Sequence, residues 1–184
     1  MIDLFKKTEA LLEGHFRLSS GLHSPKYLQC ARVLQYPEYS QKLCAELAAK
    51  FKDVTIDVVV APAIGGIVVS YEMARALGAR SIFCEREEGK MRLRRGFAIT
   101  KGEKALIVED VITTGGSTKE VIEVAKNAGA DIIGIASLVD RSGGKADFGL
   151  RFEALIKIDV PTYDPADCPL CKEGIAITKP GSRI

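Results

Sequence analysis

The sequence predicts an open, doubly wound α/β fold with a parallel sheet. Three observations carry this. Apolar runs of strand length, Ile56–Ala61, Ser81–Cys84, Ala105–Val108 and Ile132–Val139, alternate with stretches of helical periodicity. The runs are nearly apolar throughout, as strands covered on both faces are. Glycines, Gly78 and Gly129, stand where the helical stretches should stop. Helices between strands imply right-handed crossovers and layers on both sides of the sheet.

In chain order, Ile2–Glu13 reads as an amphipathic helix with Leu4, Phe5, Thr8, Leu11 and Leu12 on its apolar side and Gly14 as its stop. Residues 15–29 are polar, turn-rich and hold both histidines, His15 and His23. Phe16, Leu18, Tyr27 and Leu28 suit two short strands around a Ser20-Gly21 turn. Pro37 opens a helix to about Phe51, with Leu43, Leu47 and Phe51 inward. After the Ile56–Ala61 strand come a small-residue turn, Pro62-Ala-Ile-Gly-Gly66, and a helix from Ile67 to Leu77. Glu85–Gly96 breaks the alternation. Arg86, Lys90, Arg92, Arg94 and Arg95 exclude burial, so the segment is predicted as a solvated loop. A helix follows Ser117, whose spacing to Glu120 fits a capping box. Glu153–Ile158 is the last expected strand.

Composition narrows the classes. At 184 residues one domain is the default, and 47% hydrophobic content supports a core. A net charge of +2 gives no reason to expect nucleic-acid binding. No apolar run spans a membrane, and Met1-Ile-Asp-Leu-Phe-Lys-Lys has no signal-peptide pattern. Five cysteines scattered through an α/β pattern suggest reduced thiols and a cytoplasmic protein. Cys168-Pro-Leu-Cys171 is half of a zinc pattern, but no second pair of ligands stands near it in sequence, so no metal site is expected within the chain.

The chemistry concentrates in Ala105–Lys119. A buried strand ends in two carboxylates, Glu109 and Asp110. Val111 and Ile112 follow, then a hydroxyl- and glycine-rich turn of Thr113, Thr114, Gly115, Gly116 and Ser117, then a helix. The first N–H groups of a helix lack partners, and with the hydroxyls they form a ready phosphate site. Carboxylates beside a phosphate need another task, which ribose hydroxyls or Mg²⁺ would supply. The stretch therefore predicts a phosphorylated sugar as ligand. In such sheets ligands bind outside the carboxyl ends of the strands. Four unusual turns fall there: Ala61–Gly66, Glu85–Gly96, Glu109–Ser117 and Asp140–Gly144.

This stretch resembles the signature with which type I phosphoribosyltransferases bind 5-phosphoribosyl 1-diphosphate (PRPP). Further residues, Gly14-His-Phe-x-Leu-Ser-Ser-Gly-x-His-Ser-Pro-x-Tyr27 and Ala31-Arg-Val-Leu-Gln-Tyr-Pro37, are similar to the orotate-using branch of that family. The resemblance implies a single phosphoribosyltransferase domain over residues 1–184, with a small hood from residues 1–35 and part of the tail. It implies transfer of phosphoribosyl from PRPP to orotate with Mg²⁺, in pyrimidine biosynthesis. Glu109, Asp110, Val111, Ile112, Thr113, Thr114, Gly115, Gly116 and Ser117 would hold PRPP. Thr113, Arg141, Lys26 and His23 would meet orotate. Arg86 and Lys90 keep the spacing of the family's catalytic arginine and lysine in a mobile loop. That loop would serve the neighbouring site of a homodimer. Mg²⁺ would be held mainly through the substrate diphosphate rather than by protein ligands. Where many orotate enzymes carry a lysine in the Pro62–Gly66 turn, this chain has Gly65.

The PRPP stretch alone does not distinguish orotate from another base. A regulator that senses PRPP without turnover is a further alternative. It would need a nucleic-acid surface, and the low net charge and lack of a helix-turn-helix pattern argue against one.

Overall fold

The computed structural model describes residues 1–18 and 20–180, which divide into two compact units. One combines Met1–Gln35 with the tail from Asp159; the other is Tyr36–Ile158.

In the first unit, helix α1 (Ile2–Lys7) is followed by strand β1 (Leu11–Arg17), strand β2 (His23–Leu28) and the short helix α2 (Ala31–Leu34). The expected helix to Glu13 is half that length. Glu9 takes a left-handed conformation, the N–H of Ala10 closes on the Phe5 carbonyl at 2.7 Å, and Leu11 and Leu12 pair with Leu28 and Tyr27 across an antiparallel ladder. The apolar pair that extends the helical pattern thus belongs to a strand. The tail bridges to this hairpin twice, Tyr163 against His23 and Thr178 against Phe16, and contains one helical turn, Pro169–Lys172.

The second unit contains α3 (Pro37–Ala48), β3 (Val58–Pro62), α4 (Gly66–Leu77), β4 (Arg80–Glu87), β5 (Lys90–Leu93), β6 (Lys104–Ile112), α5 (Gly116–Asn127), β7 (Asp131–Asp140) and β8 (Phe152–Lys157). Its sheet runs β5-β4-β3-β6-β7-β8, parallel except for β5. Val58, Val60, Ala105, Ile107 and Ile135 pack with Val121, Ile122 and Ala125 of α5 in one core cluster. The residues between them on the strands point to the opposite face, where α4 packs on β3, β4 and β6 and also meets α3. Leu43, Leu47 and Phe51 are fully buried, as their spacing predicts. Gly78, left-handed at φ 68, closes α4.

Residues 85–96 correct the predicted loop. β4 continues to Glu87, and β5 returns antiparallel with Arg86 opposite Met91 and Glu87 opposite Lys90. Glu88 and Gly89 both have positive φ, as the tightest hairpin turns require. Met91 points into the core, while Lys90 and Arg92 face water. No helix among the described residues is long and apolar enough to cross a membrane.

Candidate active site

The carboxyl ends of β4, β3, β6 and β7 lie side by side. The chain leaves β3 for β4 on one side and later returns as β6 on the other. The winding thus reverses between β3 and β6, where such sheets open a ligand crevice.

Two segments meet there. The Pro62–Gly66 turn contains a cis peptide bond between Ala63 and Ile64. A Cβ on Gly65 would stand 2.9 Å from Asp110 Oδ1, and one on Gly66 would stand 2.8 Å from Ala61 Cβ. Only residues without side chains let this turn approach the carboxylates so closely. A side chain on Gly65 would have to displace Asp110.

Glu109 is buried and Asp110 half-buried near the end of β6. Asp110 N–H donates to Glu109 Oε1 at 3.2 Å, and Val111 N–H donates to Asp110 Oδ1 at 2.9 Å. Burial pushes the Glu109 carboxyl well above the usual range, and the adjacent Asp110 carboxylate adds to the shift. Burial also raises Asp110. Two such groups favour a ligand that offers hydroxyl donors or positive charge. Ile112 buries its side chain in the core, so its backbone is what faces the turn. Its carbonyl accepts from Arg141 N–H at 2.8 Å, which fixes Arg141 beside Thr113.

Thr113 and Thr114 are exposed, and Gly115 rather than Ser117 caps α5. No side-chain cap occupies that helix end. Gly116 N–H donates to Thr114 Oγ1 at 3.4 Å, a long bond, and a helix end of this kind suits an anion. Glu120 does not close a capping box. Its carboxylate takes Arg86 in a two-pronged pair at 2.7 and 2.8 Å, which raises the arginine further. Gly115 sits at φ 76, and a Cβ there would stand 2.8 Å from the Phe148 ring. We expect Gly115→Ala to destabilise the fold by roughly 1–2 kcal/mol, the cost of a left-handed alanine, and to weaken binding of an anion at this turn. Denaturant unfolding and anion binding test this, and parental values for both would refute the packing argument.

On the hairpin, Arg95 pairs with Glu85 at 2.7 Å, and Arg92 and Arg94 both reach Glu87, at 3.6 and 3.2 Å. Arg86 is held by Glu120. Among the described residues Lys90 is the one cation of this segment with no carboxylate partner.

Comparison with known proteins gives the family. The family model for the phosphoribosyl transferase domain matches residues 35–147. The orotate phosphoribosyltransferase of Desulforamulus reducens is 60% identical over 183 residues, covering 100% of this chain and 96% of its own. The chain belongs to the orotate phosphoribosyltransferase family. A solved orotate phosphoribosyltransferase from Aeropyrum pernix, 27% identical, superposes with a TM-score of 0.68 over 85% of this chain and 92% of that one. The UMP synthase of Leishmania donovani, 25% identical, gives 0.71 over 85% of this chain; the match spans 36% of that larger protein.

Against that family pattern, Glu109, Asp110, the 113–117 turn and Arg141 converge on one rim of the second unit. Lys26 lies half-buried on β2 of the first unit, opposite Glu13 in the ladder. His23, expected as a base contact, lies on β2 among other ligand-type side chains. It is 7% exposed, and its Nδ1 stands 3.3 Å from Cys171 Sγ and 3.0 Å from His15 Nε2. The cysteine pair thus has partners in space that it lacks along the chain. Sequence reasoning also missed Glu120 as the holder of Arg86 and Phe148 as the wall behind Gly115. Both are separated from their partners by more than thirty residues and have no local signature.

Proposed function

We propose that this enzyme transfers the phosphoribosyl group of PRPP to orotate, giving orotidine 5′-phosphate and diphosphate, with the residues of the β3–β6 crevice in the roles that follow. The observation that carries the assignment of roles is the meeting of the Gly65–Gly66 turn with the Glu109–Asp110 pair beside an uncapped helix N-terminus. Asp110 and Glu109 accept hydrogen bonds from the ribose hydroxyls. Residues 113–117 take the 5-phosphate, and the backbone of the Pro62–Gly66 turn approaches the diphosphate. Arg141 orients the base.

Breaking the glycosidic bond to diphosphate develops positive charge on the ribose and negative charge on the leaving group. The protein's work is then positioning and charge stabilisation. Arg86 exchanges Glu120 for the more highly charged diphosphate. The exchange is cheap, because an exposed ion pair contributes only about 0–1 kcal/mol. Lys90 reaches the same group from the hairpin. The hard oxygens of Glu109 and Asp110 are compatible with Mg²⁺, which when bound mainly through the diphosphate neutralises its charge.

The same reading makes the protein a cytoplasmic homodimer. Ile64 in the turn before α4 and Val68 and Tyr71 on α4 are 85, 41 and 63% exposed, apolar groups of the kind a subunit contact covers. Diphosphate release measured across orotate, uracil, adenine and hypoxanthine tests the base assignment. Orotate should be the preferred substrate, and chelating Mg²⁺ should abolish turnover. A better rate on adenine, or one indifferent to chelation, would overturn the reading.

A further inference from the structure

We propose that His15, His23, Cys168 and Cys171 form a structural zinc site that locks the tail onto the β1–β2 hairpin. The four ligand atoms lie within 4.8 Å of one another, the one such cluster of histidine, cysteine and carboxylate groups among the described residues. His15 Nε2 is 3.0 Å from His23 Nδ1, 3.6 Å from Cys168 Sγ and 3.7 Å from Cys171 Sγ, and Cys171 Sγ is 3.3 Å from His23 Nδ1. With ordinary zinc–nitrogen and zinc–sulfur bond lengths, the edges of a tetrahedral site are about 3.3–3.8 Å. The cluster needs only small shifts to admit the ion.

Hydrogen bonding alone accounts poorly for the arrangement. His15 Nδ1 stands 2.7 Å from the Ile175 carbonyl oxygen, so it carries the ring proton and donates it there. In its neutral form that ring presents one lone pair, at Nε2, and three groups crowd it at once. A single cation at their common centre satisfies all four. The bond to Ile175 also fixes the tautomer and ring direction, as the outer partner of a metal-bound histidine does.

The local fold serves the same end. Cys168 caps the helical turn Pro169–Lys172, which brings Cys171 back toward Cys168. The histidines come from the facing strands β1 and β2. The tail clamps the backbone at both of them. His23 and Tyr163 exchange N–H···O bonds at 2.9 Å, and Thr178 N–H donates to His15 O at 2.8 Å. His15, His23 and Cys168 are 3, 7 and 0% exposed. Two thiolates and two imidazoles are a zinc set, and four protein ligands leave no open position, so the site is structural. Binding displaces one proton from each thiol and leaves both rings neutral. A unit of this size has little core of its own, which is where a metal staple contributes most.

Elemental analysis of tag-free wild-type protein tests the site, with about one zinc per chain expected, the stoichiometry of a closed four-ligand site. Cys171→Ser should lose the metal, and because Cys171 is exposed the loss cannot be ascribed to core packing. Stripping wild-type protein with a strong chelator should lower Tm by about 5–10 °C. Zn²⁺ should restore it and Mg²⁺ should not. Co²⁺ added to the stripped protein should give the visible bands of tetrahedral thiolate coordination. Zinc-free protein that binds neither Zn²⁺ nor Co²⁺ and shows no change in Tm would overturn the proposal. So would full zinc content in Cys171→Ser.

Discussion

Asp110→Asn is expected to lower kcat/KM for PRPP by about 10²-fold, the scale of one well-placed transition-state contact, without unfolding the protein. The loss follows from geometry. Asp110 is the carboxylate that Gly65 approaches, at the β3–β6 reversal, and an amide cannot accept from ribose hydroxyls in the same way. The stability half follows from charge. Burial raises both Glu109 and Asp110, so the folded protein holds protons there more tightly than the unfolded chain does. A group raised in this way contributes stability that is complete below its unfolded value, about 4 for these residues. That stability is lost as pH rises through the folded value. At neutral pH the pair therefore costs the ligand-free fold something, and Asn removes part of the cost. We expect Asp110→Asn to melt at or above the parental temperature at pH 7, with the advantage shrinking as pH falls toward about 4. Parental kinetics would remove Asp110 from the binding role. Lower melting at neutral pH would contradict the electrostatic account.

What the sequence made legible follows from how local each feature is. The parallel sheet was readable because buried parallel strands are continuous apolar runs, and Gly78 and Gly129 mark helix ends. The hydroxyl- and glycine-rich turn between β6 and α5 was readable because its residues are consecutive. The hairpin was not. Lys90, Met91, Arg92 and Leu93 do alternate polar and apolar, but five cations across the segment hide a strand that gives the core only Met91 and the half-buried Leu93. α1 was drawn too long because Leu11 and Leu12 fit a helical face as well as a strand, and the left-handed turn at Glu9 carries no glycine to signal it. Ser117 has the right spacing to Glu120 for a cap, yet Arg86, thirty-four residues earlier, takes that carboxylate, and Gly115 starts the helix. The histidine–cysteine cluster was the least visible. His15 and Cys168 are 153 residues apart, and only the return of the tail to the β1–β2 hairpin brings them together.

Lys90→Ala is expected to cut kcat by roughly 10²-fold or more, with a smaller effect on orotate binding, because negative charge develops on the diphosphate between the bound substrate and the transition state. The structure gives this lysine a particular standing. Arg86, Arg92, Arg94 and Arg95 are each engaged by a carboxylate, whereas Lys90 is exposed beside the Glu88–Gly89 turn with none among the described residues. Its charge is available to a ligand without breaking an existing pair. The hairpin also refines how it would be delivered. An arm with a hydrogen-bonded ladder moves as a unit, and a closing element from a partner subunit can open fully for product release and still exclude water when shut. A mixed dimer decides whether it acts across subunits. One chain carries Lys90→Ala and the other Asp110→Ala. If the hairpin serves the neighbouring site, the dimer contains one site with both groups intact, and activity recovers to a substantial fraction of one parental site. If it serves its own chain, one site lacks the lysine and the other the aspartate, and neither turns over. No recovery in verified mixed dimers would restrict Lys90 to its own subunit. Parental kcat in Lys90→Ala would remove it from the chemistry.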